Sequence, residues 1–239
     1  MKNILILLAV LTSLSIQAQN YKNIKGKGAV VSKTVTTAEY DGVAVSGSFF
    51  VTLVDGAEGS IAINAEENLM EYIIVEVKDN TLYIKPEKNY GISASKGKKI
   101  EITVPVKTIS SVSLAGSGDV ISNFMLNADN FKISLAGSGD IKLGIEAQTI
   151  DASLSGSGDI ELKGKAINFN AAVAGSGDIE AFDLKADNAE ASIAGSGDIE
   201  INCSQSIEAR VSGSGDIQYK GNPIKVDSKV SGSGTIKMN

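Results

Sequence analysis

Seven copies of the tripeptide Gly-Ser-Gly, beginning at Gly116, Gly137, Gly156, Gly175, Gly195, Gly213 and Gly232, recur at intervals of 18 to 21 residues. Self-similarity at a period near 20 means that each unit is one supersecondary module, unable to bury its apolar face alone and stacked on its neighbours. Around the tripeptide the units alternate strictly. Two residues before the first Gly stand Leu114, Leu135, Leu154, Val173, Ile193, Val211 and Val230, and two residues after the second stand Val120, Ile141, Ile160, Ile179, Ile199, Ile217 and Ile236. Apolar residues at steps of two mark strands with one buried face, here on both sides of a tight corner. Glycine suits the corner because positive φ costs it no Cβ clash, and a pair of glycines lets adjacent coils approach closely.

Each unit therefore reads strand, corner, strand and a variable connection, such as Lys163 to Ala166 or Lys220 to Pro223, where a surface loop would absorb differences in length. Stacked in parallel at about 4.8 Å, seven units predict a β-helix roughly 30–35 Å long. A propeller blade would need about 40 residues. A meander would pair the units as mirror halves at two-residue turns, and nothing in the spacing does so.

Residues 19–108 lack the clean repeat but remain rich in strand signals, at Gly42–Leu53, Ile61–Ile63, Ile73–Val77, Thr81–Ile84 and Ile100–Val104. Lys78-Asp79-Asn80 predicts a hairpin, Glu66 to Tyr72 a single helical turn, and Val45-Ser46-Gly47-Ser48 resembles a degenerate copy of the repeated corner. An exposed terminal coil is a sheet edge, so this region is expected to be a cap or an irregular β-layer on the solenoid of residues 109–239.

Residues 1–18 read as a secretory signal peptide. Lys2 precedes the apolar run Ile4–Val10, and Gln17-Ala18-Gln19 provides a cleavage point after Ala18. The expected destination is the periplasm, the cell surface or the medium. The single cysteine, Cys203, excludes an internal disulfide, and Cys203 itself is expected in the core or a connection. With 22 basic against 28 acidic residues the net charge is −6, which argues against nucleic acid as a partner. After Ala18 no segment is apolar enough, for long enough, to cross a bilayer.

Catalysis is poorly provided for. The chain has no histidine and one arginine, Arg210, so the repeated serines have no general base and no residue set supplies coordinated proton transfer. No catalytic, cofactor-binding or metal-binding residues are assigned, and no cofactor is expected. The sharper candidate is the column of Asp119, Asp140, Asp159, Asp178, Asp198 and Asp216 that follows the tripeptide, with Thr235 in the last unit. Stacked about 5 Å apart, these carboxylates would repel one another by somewhat under 1 kcal/mol per pair in water. Calcium could relieve that repulsion. The alternative is that each carboxylate accepts local backbone N–H groups of its own corner and stays solvated.

The stretch Asp41-Gly-Val-Ala-Val-Ser-Gly-Ser-Phe49, the export signal and the run of Ala/Ser-Gly-Ser-Gly-Asp-Ile units resemble the Bacteroidetes family of auto-transporter adhesins with a head GIN domain, over roughly residues 40 to 238. The resemblance implies a right-handed parallel β-helix, shaped like pectin-lyase-type folds without their catalytic residues, and a role in cell adhesion. The chain departs from a full autotransporter, since Met238-Asn239 follow the last repeat without a barrel segment. Another protein is then expected to carry it to the surface. The resulting expectation is an exported, non-enzymatic solenoid that presents a rigid surface to a protein or glycan ligand, with homo-oligomerisation open. The alternative is a carbohydrate-binding or polysaccharide-degrading envelope protein, which a groove lined by exposed Tyr or Phe would favour.

Overall fold

The computed structural model describes residues 21–239; the leader expected over residues 1–18 lies outside the described residues. The repeats form parallel coils in register. Leu114, Leu135, Leu154, Val173, Ile193, Val211 and Val230 lie one above another, and Val45 continues the column below Leu114. From Val45 to Val211 these side chains are buried, as are the Ile and Val residues that follow the corner from Val120 to Ile217. The alternation expected from the sequence is therefore the pattern of the core on both sides of the corner, and Leu126, Ile145 and Leu184 add buried side chains farther along the coils.

Each corner is built by two glycines with different duties. The first, from Gly47 and Gly116 through Gly232, has φ between 111° and 149°, where a Cβ is strained. Up to Gly213 its carbonyl accepts two N–H groups from the coil above, as Gly116 O does from Ser138 at 2.9 Å and Gly139 at 3.1 Å. The second glycine needs no positive φ, yet a Cβ on Gly158 would overlap the backbone carbonyl of Gly139 beneath it. Ser contributes its main-chain N–H, and its side chain points to solvent.

The connection expected at Lys163–Ala166 is not a loop. These residues belong to the continuous strand Ile160–Gly175. Gly164 has φ +126°, and a Cβ there would overlap the carbonyl of Ile145. The long strands bend without breaking because parallel ladders on both sides already satisfy their backbone. Differences in length are absorbed by register shifts, as between Ala181 and Lys185. The connection at Lys220–Pro223 is open, as expected, with Gly221 and Asn222 at positive φ.

Residues 21–108 do not follow chain order in space. Gly42–Gly47 and Phe50–Asp55 form the coil directly beneath Ser111–Gly116 and the start of Asp119–Gly137. The chain then descends, and the later strands Thr81–Pro86 and Glu101–Val106 lie parallel beneath that coil. Antiparallel strands close this end: Ile73–Lys78 pairs with Thr81–Pro86, and Val30–Thr36 pairs with Ser60–Glu66, which in turn pairs with Glu101–Val106. The hairpin expected at Lys78-Asp79-Asn80 is present, with both Asp79 and Asn80 at positive φ as a two-residue turn of matching twist requires. The helical turn Glu67–Tyr72 is a 3₁₀ helix whose Leu69 is fully buried at the end of the core.

A carboxylate latches the cap. Glu66 is 1% exposed. It accepts the Ser95 N–H at 2.8 Å and lies 3.3 Å from Lys98 Nζ. Gly26 packs over it so closely that a Cβ would overlap the carboxylate. The Ser95 N–H, supported by Lys98, outweighs burial and holds the carboxyl below its ordinary value of 4.5.

Two outcomes are expected. Gly156→Val, Gly158→Val and Gly164→Val each cost about 2 kcal/mol or more by thermal melts, whereas Gly56→Ala, where a Cβ meets Pro105 at an ordinary 3.5 Å, is tolerated. A lowered folded-state pKa contributes stability above pH 4.5 that is lost as pH falls through the folded value. Acidification below pH 4.5 should therefore lower the melting temperature of the wild type more than that of Glu66→Gln.

Candidate functional site

The Asp column lies where the sequence places it, and its partners are one coil away. From Asp140 upward, the Oδ1 of each Asp accepts the main-chain N–H of the residue above it: Asp140 from Asp159 at 3.3 Å, Asp159 from Asp178 at 3.2 Å, and Asp178 from Asp198 at 2.7 Å. Asp198 accepts from Asp216 at 2.7 Å, and Asp216 from Thr235 at 2.8 Å. The geometric reason is that the corner turns these N–H groups out of the regular ladder, and the carboxylate below is the acceptor within reach. The column is thus a staple between coils, which corrects the expectation that each Asp serves its own turn. Among the described residues no three His, Cys, Asp or Glu side chains are grouped closely enough to hold a metal ion.

Cys203 faces the core at Ala186 of the coil below, where burial alone pushes its thiol up to about 11. A thiol at that value carries almost no thiolate near neutral pH and is a poor nucleophile.

The outer face before the corner carries a concave surface. A shallow groove of about 720 Å³ runs along the solenoid axis over the coils ending at Gly137 through Gly232. Two outward columns line it: Ser134, Ser153, Ala172 and Ser192, then Ala136, Ser155, Ala174 and Ala194. No aromatic side chain of the described residues reaches it. The sequence carries the signal for this site at positions three and one before each first Gly, which are uniformly small up to Ser192. The inward positions are the ones that announce a strand, so the groove emerges only from the structure.

The uniformity ends at Arg210 and Lys229, which continue the first column. Arg210 points outward, as its place between Ala209 and Val211 predicts. It donates to both carboxylate oxygens of Asp227, at 2.8 and 3.2 Å, and lies 3.0 Å from Glu208. This fork brings a cation into the lining of the groove and pulls the Asp227 carboxyl below its ordinary range. On the next face Asn188 accepts from Ser206 at 2.8 Å and donates to Asn168 at 3.3 Å, a polar ladder of the kind that stacked coils favour. Beyond the corner, Glu200 is pushed upward by burial and by Glu180 one coil below.

Glycine corners, a stapled Asp column and a Ser/Ala groove define a parallel β-solenoid with one long, shallow, chemically quiet face. The chain belongs to the family described as "Putative auto-transporter adhesin, head GIN domain", whose model matches residues 39–223. It is similar to the crystal structure of a putative adhesin from Bacteroides fragilis NCTC 9343, at 31% identity and a TM-score of 0.83, covering 90% of this chain and 100% of that one. A structure from Parabacteroides distasonis ATCC 8503 described as a putative lipid binding protein matches at 28% identity and a TM-score of 0.76, covering 91% and 99%. A putative adhesin from the same organism matches at 25% identity and a TM-score of 0.72, covering 91% and 100%. A search of curated proteins finds no match. Family and neighbours together support an adhesion-type role.

The staple can be tested directly. Asp178→Ala leaves the Asp198 N–H unpaired and should cost about 1.5 kcal/mol, while Asp178→Asn, which keeps an acceptor oxygen, should cost clearly less in the same melts.

Proposed function

We propose that the chain is an exported, non-enzymatic adhesion protein that engages a protein or glycan surface through the Ser/Ala groove. The observation that carries this reading is the groove itself, unbroken across successive coils in a member of an adhesin family. Binding costs free energy for every mobile side chain it orders, and Ser and Ala have little rotamer freedom to lose on a backbone already held by ladders on both sides. A rigid strip of small residues can therefore accept a large, flat partner with little reorganisation. The Asp column acts within the scaffold, holding successive corners together, and is not a calcium ladder.

The leader over residues 1–18 would send the chain to the periplasm or the cell surface. The alternative, a carbohydrate-binding or polysaccharide-degrading envelope protein, lacks support in the groove, whose described lining has neither an aromatic platform nor a pair of carboxylates across it. A second reading, an apolar ligand, is favoured by the mostly apolar lining of the groove and by the P. distasonis relative described as lipid binding.

The decisive experiment measures binding of the purified chain to a glycan array, to isolated envelope fractions and to phosphatidylcholine vesicles, alongside Ser153→Glu/Ser192→Glu. The expected result is binding to glycan or envelope material that the double variant loses with an unchanged melting temperature. Binding to vesicles alone would favour the apolar ligand, and binding that survives the double variant would remove the groove from the function. Calcium should leave the melting temperature nearly unchanged, whereas a site filled at 100 times its dissociation constant would add about 2.7 kcal/mol. No activity is expected on a polysaccharide panel, and protease treatment of intact cells places the protein inside or outside the outer membrane.

A further inference from the structure

The two ends of the solenoid are finished differently. The N-terminal end is closed by antiparallel strands and by Leu69. Among the described residues nothing covers the coil at the C-terminal end. Val226 and Val230 continue the interior columns above Ile207 and Val211, which are 1% and 3% exposed, yet they are themselves 46% and 40% exposed. Every residue of the strand Lys225–Gly232 is solvent-exposed, and among the described residues it pairs on one side only, with the coil ending at Gly213. A half-unpaired strand with exposed core positions is a template for another chain.

The sequence of that strand, Lys-Val-Asp-Ser-Lys-Val-Ser-Gly, is complementary to its own reverse. In an antiparallel pair centred on Ser228, Val226 of one copy faces Val230 of the other, and Asp227 faces Lys229. Each match occurs twice by symmetry. Opposed residues of an antiparallel pair share a face of the sheet, so the valines meet on the interior side and the charges on the outer side. The neighbouring registers fail. A shift of one residue sets interior positions against exterior ones, and a centre at Asp227 or Lys229 sets like charges against themselves. Arg210 already holds Asp227, but a carboxylate has lone pairs for a second cation, and its side chain is 56% exposed.

We propose that the C-terminal coil is a self-association surface, on which a second copy of this chain pairs antiparallel through Lys225–Gly232 to give a closed, two-fold, end-to-end dimer. The same patch serves both copies, so pairing ends with two. The interior columns then run from one solenoid into the next, and the Ser/Ala grooves of both copies are presented on one longer rod.

Sedimentation across a concentration series tests this with the purified chain. The wild type is expected to shift from monomer to dimer mass and no further. Lys229→Asp and Asp227→Lys, each of which opposes like charges twice, are expected to stay monomeric when alone. Mixed in equal amounts they are expected to form a dimer, because both opposed pairs then join one carboxylate to one ammonium. Ser228→Cys, oxidised in air, is expected to give a disulfide-linked dimer on a non-reducing gel, while the wild type, whose single cysteine is buried, gives none. A wild type that stays monomeric throughout, or grows beyond dimer, would overturn the proposal. So would charge variants that dimerise as well as the wild type, a mixture that stays monomeric, or a Ser228→Cys chain that fails to cross-link.

Discussion

The contact on which the rest depends is the seating of one glycine carbonyl under the next corner. From Gly47 through Gly213 each first-Gly oxygen receives two N–H groups from the coil above, and only a backbone without Cβ atoms at both glycine positions allows that approach. The contact sets the height of one coil on another at one edge of the cross-section, and in-register strands follow from it. Once the corners stack, Leu must lie on Leu and Ile on Ile, since a slip of one residue would turn the interior face to water. The Asp staple works at the same corner and serves N–H groups that the turn withdraws from the ladder.

The same repetition accounts for the outer surface. A coil stacked on identical coils repeats whatever its outward positions carry, so a pair of small residues per unit becomes a groove along the rod. It also explains why polar side chains on other faces pair with their own kind, as Asn168, Asn188 and Ser206 do. Local identity becomes long-range surface because the translation between coils is a backbone property, indifferent to what the side chains are.

The ends escape that logic, and there the molecule acquires individuality. At one end the buried Glu66 clasp and the 3₁₀ turn seal the core. At the other, Arg210 and Asp227 tie the final coil down while its valines stay exposed. A latch held by a carboxylate whose titration is shifted downward and an edge decorated with alternating charges are both devices for controlling a strand edge.

Much of this was legible in the residues alone. Glycine spacing and period-two alternation dictate parallel coils, an apolar interior and the corner, because these are local steric facts repeated seven times. The hairpin at Asp79-Asn80 and the turn at Glu67–Tyr72 were legible for the same reason. Other features were decided only by tertiary structure. Gly164 looked like a loop residue, but its conformation is set by the Ile145 carbonyl of the coil below. The Asp residues looked like caps of their own turns, but their oxygens reach the adjacent coil. Thr81–Pro86 and Glu101–Val106 come later in the chain yet lie beneath Gly42–Asp55, since burying Phe49 and Leu53 needs a layer that no local pattern announces. The groove belongs to no single unit, because concavity is a relation between outward positions on stacked strands. The physical division is that a sequence determines what each coil must do with its own backbone, while the contacts between coils decide which residues become partners.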